Sequence, residues 1–517
     1  MKIIILAAGR GSRMHTDKLH KGLLPFRGKA MLSHIFDKFP HHEFVIAAHH
    51  LKSQVMDYIA LAHPEHKVTY VDVGSLETPC AGPGLSLMMC LEEARDSSLV
   101  VTCDTYFNLP VATPFSNNWL GVATVNPAEA ISYCNLEVRD GNVIKVFDKS
   151  IDPNMTHTWT GLMFIHDWHI ALQNLQSRLP FEQEIQCSDA WAHLSLSVVG
   201  HEWIDVGTKA RYISALEAEG YDYSKPHECT YVLDSRVIKF FTDAKRKPIR
   251  SSRQQNELIN VTPKEIPCSS NNFAAYEKAR GSTFYKNGSP SLFKSFLNWM
   301  RAEVWSEVES NDSFKLECIK FYKDKTQERI GAFLDKHPNC DFDKVNGYPL
   351  AYDWDSILAM IDWDKLVEDS HHVGFHGDLN FDNIIVNDGE FTLIDWRDSF
   401  GNVDLGGDIY YEYAKLLSGI TFDFDLVKLG QFNIIDMHGD AIVSFSRRTI
   451  NDEYEELLMR DAATYSLDWG KIDLLRWLIL AGMSGLHRAP YSIALYYFSL
   501  WQVNMRFPLL NRFLVQD

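Results

Sequence analysis

Two groups of residues in this 517-residue chain have the types and spacing of phosphate handling. The first is Leu6-Ala7-Ala8-Gly9-Arg10-Gly11-Ser12-Arg13, with Lys21, Pro25 and Gly28-Lys29 close behind. Residues as small as Ala8, Gly9 and Gly11 let a loop backbone approach a triphosphate and point its N–H groups at the oxygens. The second is His376-Gly377-Asp378-Leu379-Asn380-Phe381-Asp382-Asn383, with Leu393-Ile394-Asp395-Trp396 beyond it. Here an acid and an amide share one short loop, and a second acid ends the β-like run Phe391 to Ile394.

The elements that must position these groups differ between the two halves. Short β-branched runs at Ile3 to Ala7, Glu43 to Ala48, Lys67 to Val73 and Leu99 to Thr102 alternate with helical stretches, the pattern of βαβ units on a mostly parallel, Rossmann-like sheet. Tyr221-Asp222-Tyr223-Ser224-Lys225-Pro226 is polar and contains proline, and is read as a linker. Cys229 to Leu233 and Arg236 to Phe241 then form a hairpin about Asp234-Ser235. From about Ser291 the pattern is helical and aromatic. The expected organisation is an α/β domain over 1–222 and an α+β bilobal domain over 223–517, its first lobe at about 227–290 and its helical lobe at about 291–517. No internal repeat relates them.

Composition excludes several classes. With 46% hydrophobic and 23% charged residues the chain is globular. A formal charge of -18 argues against a nucleic-acid binder, which needs Lys and Arg against the phosphate backbone. The most apolar helical stretch, Leu474 to Leu486, is short of a bilayer span and contains Arg476. Nine cysteines without a CxxC pair or zinc spacing read as free thiols of a reducing compartment. The expectation is a cytoplasmic protein with no membrane span, its oligomeric state open.

The Ala-Ala-Gly-x-Gly-x-Arg loop, with Leu23-Leu24-Pro25-Phe26-Arg27-Gly28-Lys29 after it, resembles the nucleotidyltransferases that join NTPs to sugar phosphates or phosphocholine and release pyrophosphate. The resemblance implies that Ala8, Gly9 and Gly11 bind the nucleotide and that Arg13 and Lys21 stabilise charge on the α-phosphate. It implies that Asp104, at the end of a strand, and Asp205, in Trp203-Ile204-Asp205-Val206-Gly207, hold Mg2+. Ala81 and Gly82 would lie against the nucleobase, and Lys149 and Gly161 against the acceptor. The family's usual proline before the lysine is His20 here. No protein base is required, because an ionised phosphate monoester is itself the nucleophile.

His376-Gly377-Asp378, Asn383 and Asp395 resemble the aminoglycoside phosphotransferase and choline kinase family, with its protein-kinase-like fold. That resemblance makes Asp378 the residue that takes or orients the acceptor's hydroxyl proton, and Asn383 and Asp395 the Mg2+ ligands at ATP. Lys239, on the strand Arg236 to Phe241, stands where the family binds the α/β phosphates, with Glu257 as candidate partner. The glycine-rich loop of protein kinases is absent from Tyr231 to Arg236. Asp408, in the stretch after Asp395, would brace the loop. Trp469, Trp477, Tyr491, Tyr496, Tyr497 and Trp501 are read mainly as packing.

Together the resemblances imply a bifunctional transferase that phosphorylates a small hydroxylated acceptor with ATP and then attaches a nucleotide from an NTP, CTP favoured, to the new phosphate. The product would be an activated precursor for surface glycan decoration. A choline-type amino alcohol is one candidate acceptor. Against it stands Arg397, two residues after Asp395, which suits an acid or hydroxyl-rich substrate if it faces the acceptor. A sugar 1-kinase fused to a sugar-1-phosphate nucleotidyltransferase is the alternative. A reading of another class makes one half an inactive scaffold or regulator.

Overall fold

The computed structural model describes residues 1–14, 18–74, 80–126, 128–148, 150, 152, 154–179, 184–219, 228–309, 313–403 and 405–515. Lys149, Asp404 and the linker at 221–226 lie outside them. The chain divides into two compact units, one of Met1–Glu219, His227–Thr242 and Pro267–Ala275, the other including Asp243–Ile266 and Tyr276–Asp517.

The first unit opens with β1 (Lys2–Ala7), the hairpin of β2 (Pro25–Phe26) and β3 (Lys29–Ala30), α1 (Met31–Lys38), β4 (Glu43–Ala48), α2 (Lys52–Ala62), β5 (Val68–Asp72), α3 (Pro83–Ala94) and β6 (Ser98–Thr102). It continues with β7 (Thr105–Asn108), β8 (Trp119–Ala123), β9 (Cys134–Arg139), β10 (Asn142–Asp148), β11 (His157–Ile165), α4 (Trp168–Gln176), β12 (Ser197–Gly200), β13 (Glu202–Asp205) and α5 (Lys209–Glu219). A nine-stranded sheet runs in the order β5-β4-β1-β6-β11-β8-β12-β10-β9. β5, β4, β1 and β6 are parallel, joined through helices as the alternation requires.

The expectation of a mostly parallel sheet is corrected to a mixed one. β11 runs antiparallel to both β6 and β8, and β10 antiparallel to β9. Among the described residues no α-helix lies between Thr105 and Ile165, so this half lacks the crossover helices that parallel neighbours need. β1 buries Ile3, Ile4, Ile5 and Leu6, as a strand covered on both faces must. Ile4, Leu6, Val45 and Val100 share one core with Leu87 and Leu91 of α3 and Leu175 of α4. On α1, Phe36 stacks on Phe44 at 4.0 Å.

The hairpin of β14 (Glu228–Val232) and β15 (Arg236–Phe241), which the sequence boundary at 222 assigns to the C-terminal half, clusters with this first unit. Tyr231 is the reason. Its ring meets Tyr58 edge to face at 4.9 Å and its hydroxyl donates to the Leu23 carbonyl at 2.6 Å. The Val232 N–H also donates to the Gly28 carbonyl at 2.7 Å.

In the second unit, Ser282–Thr283, Ile384–Asn387 and Glu390–Leu393 form a three-stranded sheet. Helices follow at Pro290–Glu303, Ser313–Tyr322, Asp324–Lys336, Ile409–Thr421, Ile450–Thr464, Trp469–Ser484 and Tyr491–Arg506. The helix Ile409–Thr421 is buried from Ile409 through Ile420. Asp408 starts it and is itself buried, accepting from Tyr410 N, His371 N and the hydroxyls of Tyr322 and Ser370. Of the aromatics, Trp477, Tyr491, Tyr496 and Tyr497 are buried, and Tyr496 stacks on Phe333 at 4.1 Å. No described helix is long and apolar enough to cross a membrane.

Candidate functional site

At the C-terminal end of β1 the chain enters the small-residue loop. Gly9 is exposed, and Gly11 turns with φ 65° and offers its carbonyl to Met14 N at 2.8 Å. A Cβ on Gly11 would stand 3.6 Å from the Lys21 stem, so loop and lysine are neighbours. Arg13 is exposed, ends the short turn Ser12–Met14 and acts electrostatically on Lys21.

Lys21 begins the turn Lys21–Leu23, and His20 caps it. The His20 ring is buried: Nδ1 accepts from Gly22 N at 3.1 Å, which leaves Nε2 to donate to the Ala7 carbonyl at 2.8 Å. Burial pulls its pKa down to about 4, so the ring is neutral. The departure from proline at position 20 thus ties the turn carrying Lys21 to the end of β1.

Lys21 Nζ lies 2.9 Å from Asp104 Oδ2. Burial opposes ionisation of both groups and their pairing outweighs it, holding Lys21 above and Asp104 below the ordinary range. Asp104 and Asp205 are 101 positions apart, yet β7 and β13 bring them together: the ladder between them sets Asp205 opposite Thr105. The point a Cβ would occupy on Gly207 is 2.9 Å from Asp205 Oδ1 and 3.2 Å from Asp104 Oδ2. Two partners of Asp205 carry no sequence signal: Arg211 Nη1 at 2.7 Å and the Tyr133 hydroxyl at 2.8 Å. Two hard oxygen donors converging beside the Gly9–Gly11 loop fit Mg2+.

Ala81 and Gly82 lead into α3, and a Cβ on Gly82 would fall 2.5 Å from the Ile185 carbonyl. Gly161 lies in β11, where the register with β8 shifts, at φ 84°. A Cβ there would fall 2.4 Å from Thr102 Oγ1 and 2.9 Å from Thr105 Oγ1. Close packing therefore demands glycine at both positions. Lys239 Nζ meets Glu228 Oε1 across the hairpin at 2.6 Å, both buried, whereas Glu257 holds Arg253.

In the second unit the His376 loop is built from backbone outward. Glu412, on the buried helix, accepts from Gly377 N at 2.7 Å and His376 N at 3.1 Å. Burial raises its carboxyl to about 7. His376 is buried and neutral, its pKa pulled down to about 4 by burial. One ring nitrogen accepts from Asp378 N at 3.3 Å, and the other meets the Ile394 carbonyl at 3.0 Å. Asn383 Nδ2 donates to the Asp378 carbonyl at 2.8 Å. Asp378 Oδ1 is 2.8 Å from Lys415 Nζ. Asp395 adopts a left-handed φ of 60° and lies 3.4 Å from Arg250 Nη2. Arg397 donates its backbone N–H to the His376 carbonyl at 3.0 Å, linking the strand end to the loop. Glu412 and Lys415, more than thirty residues past Asp378, are neighbours of this loop that spacing does not disclose.

The comparisons bear on the first unit. Residues 3–135 match the MobA-like NTP transferase domain. Arg13, Lys21 and Asp104 lie inside that stretch. The chain is 26% identical over 233 residues to "Bifunctional protein GlmU" of Methanococcus vannielii, covering 42% of this chain and 54% of that protein. It is 28% identical over 163 residues to the protein of the same name in Cupriavidus pinatubonensis, covering 29% and 33%. The chain thus spans about half the length of the curated relative first named. Among solved structures, a UDP-glucose pyrophosphorylase complexed with UDP-glucose aligns over 42% of this chain and 97% of its own, at 16% identity and TM-score 0.37. A UTP-bound UGPase from Acinetobacter baumannii aligns over 42% and 93%, at 14% identity and TM-score 0.37.

Proposed function

We propose that the first unit transfers a nucleotidyl group from an NTP to a phosphorylated acceptor with release of pyrophosphate. One observation carries this: the Lys21–Asp104 pair, inside the stretch that matches an NTP transferase, and Asp205, outside it, converge beside the Gly9–Gly11 loop. Loop amides would seat the triphosphate, and Arg13 and Lys21 would offset charge at the α-phosphate during in-line displacement. Asp104 and Asp205 would hold Mg2+, which when bound neutralises phosphate charge. Lys149 and Gly161 are proposed near the acceptor. CTP is the favoured donor on family resemblance.

The second unit is proposed to make that phosphorylated acceptor from ATP. Support comes from the Asp378 loop, whose backbone is fixed by Glu412, Asn383 and His376, with Asp395 on the adjoining strand end. Asp378 would take the hydroxyl proton while Lys415 steadies its charge. Asn383 and Asp395 offer oxygens for a second Mg2+ site. The product would serve as an activated precursor for a glycan-modifying transfer.

The test separates the reactions. Asp378→Ala should abolish ATP- and acceptor-dependent ADP release and spare pyrophosphate release. Asp104→Ala should do the reverse, and phosphorylated acceptor supplied directly should restore the nucleotide-linked product in the Asp378 variant. Full activity in either variant refutes that site.

A further inference from the structure

The charge around Asp378 is one-sided. Lys415 is paired to it at 2.8 Å. Arg397 presses against the same loop, since a Cβ on Gly377 would fall 2.8 Å from Arg397 Cδ. Its Nη1 stands 3.4 Å from the Tyr411 hydroxyl, and Lys325 Nζ stands 3.4 Å from that same oxygen. Arg329, one turn beyond Lys325, lines the same recess as Lys325, Phe321 and Tyr411. Among the described residues no carboxylate forms an ion pair with Lys325, Arg329 or Arg397.

Cations that converge in a half-buried recess without a paired carboxylate of their own repel one another and lose hydration. Lys325 shows the cost: burial, then Arg397, Arg329 and Lys415, hold its ammonium well below its ordinary range, with Asp378 opposing. Such an arrangement is stable in use only if a ligand brings the missing negative charge. The aromatic faces nearby are already taken. Lys325 lies 3.8 Å from the Phe321 ring centroid and 5.2 Å from that of Tyr411, and the Arg397 guanidinium lies 5.1 Å from that of Phe321. An open cage for a quaternary ammonium is therefore not what these rings provide.

We infer that the acceptor phosphorylated at Asp378 carries an anionic group, carboxylate or phosphate, bound by Arg397, Lys325 and Arg329. The inference rests on the phosphoryl-transfer reading of the second unit. Two guanidinium forks suit the oxygens of either anion. The acceptor's hydroxyl then faces Asp378 while its charge is neutralised beside it, which selects hydroxy acids or phosphorylated polyols over choline-type amines.

Two measurements on the full chain test this. In the first, inorganic phosphate is titrated calorimetrically in the presence of saturating non-hydrolysable ATP analogue and Mg2+. A site should be seen that weakens at least tenfold in Arg397→Gln and in Arg329→Gln and is largely kept in Arg397→Lys; phosphate binding elsewhere is common to all variants and cancels. Unchanged binding in both glutamine variants overturns the inference. So does loss of the site whenever the analogue is present, because the cations then serve the nucleotide. In the second, ADP release is compared for D-glycerate, sn-glycerol 3-phosphate, glycerol and choline. An anionic acceptor should exceed the others at least tenfold in kcat/KM, the better of the first two telling carboxylate from phosphate. Arg397→Gln should raise acceptor KM at least tenfold and leave KM for ATP within twofold. A higher kcat/KM for choline overturns the inference. ADP release with none of the four refutes phosphoryl transfer to this acceptor class, and the phosphate titration still decides the anion site by itself.

Discussion

Replacing His20 by proline tests how the turn carrying Lys21 is held. The φ of His20, -61°, is one proline adopts, but proline removes the backbone N–H that donates to Gln54 Oε1 at 3.0 Å, at about 1 kcal/mol. The ring's two bonds are lost, leaving the Ala7 carbonyl and the Gly22 N–H unpaired in a buried site, at about 1–3 kcal/mol each. The stiffer unfolded chain returns about 0.4–1 kcal/mol, so at pH 8 a net loss of about 2–7 kcal/mol is expected. Acid changes the comparison. The folded-state pKa of His20 lies near 4, below the ordinary 6.5, so its unfolded form takes up a proton first. Stability that depends on the neutral ring is fully present above pH 6.5 and is lost as pH falls toward 4. At pH 5 the loss amounts to about 2 kcal/mol, from roughly 1.4 kcal/mol per pH unit. Proline carries no such penalty, so the gap between the two proteins should narrow by about 2 kcal/mol between pH 8 and pH 5. Hydrogen-exchange protection of the β1 amides reports the first unit and avoids a two-state assumption for the whole chain. His63, also buried with a pKa near 4, contributes equally to both proteins and cancels. An unchanged gap at the two pH values would mean that His20 is not held neutral, and the argument for its role fails.

Three other substitutions discriminate the remaining claims. Asp205→Asn weakens the hold of Arg211 and Tyr133 and removes one metal-directed charge; pyrophosphate release should fall at least 100-fold with a raised Mg2+ requirement, and ADP release should be unaffected. Glu412→Gln leaves one of the His376 and Gly377 N–H groups without a good acceptor, so kcat for ADP release should drop at least tenfold while pyrophosphate release holds. Because burial lifts Glu412 to about 7, wild-type ADP release should decline as pH falls through that value and the glutamine variant should lack this limb. Gly161→Ala forces a Cβ to 2.4 Å from Thr102 Oγ1 at φ 84°, and thermal unfolding of the first unit should show a loss of about 2 kcal/mol or more.

What could be read from sequence follows how local each constraint is. The run Ile3 to Ala7 lies within β1, Glu43 to Ala48 coincides with β4, and the hairpin at Asp234-Ser235 is in place, because hydrophobic runs and turn residues act over a few positions. The antiparallel half escaped the same reading. β8 and β12 are short, β11 carries a register shift, and their pairing is decided by neighbours up to eighty residues away. The hairpin's attachment to the first unit depends on one Tyr231 ring meeting Tyr58, which no local pattern announces.

The site residues divide along the same line. Glycine loops and the Asp378–Asn383 spacing are local and legible; Tyr133, Arg211, Glu412, Lys325 and Arg329 act through tertiary contacts and are not. Glu257, the partner the sequence suggests for Lys239, is instead held by Arg253 in an i,i+4 pair. Lys239 instead takes Glu228, its neighbour across the hairpin. Position 20 carries the most general lesson. A polar residue where relatives in the resembled family keep proline looks like a defect in the motif, yet the φ that proline would impose is already adopted by His20. The ring then supplies by hydrogen bonding a restraint that proline supplies covalently, and keeps the backbone N–H that reaches Gln54 Oε1, but the histidine device works solely while its ring stays neutral.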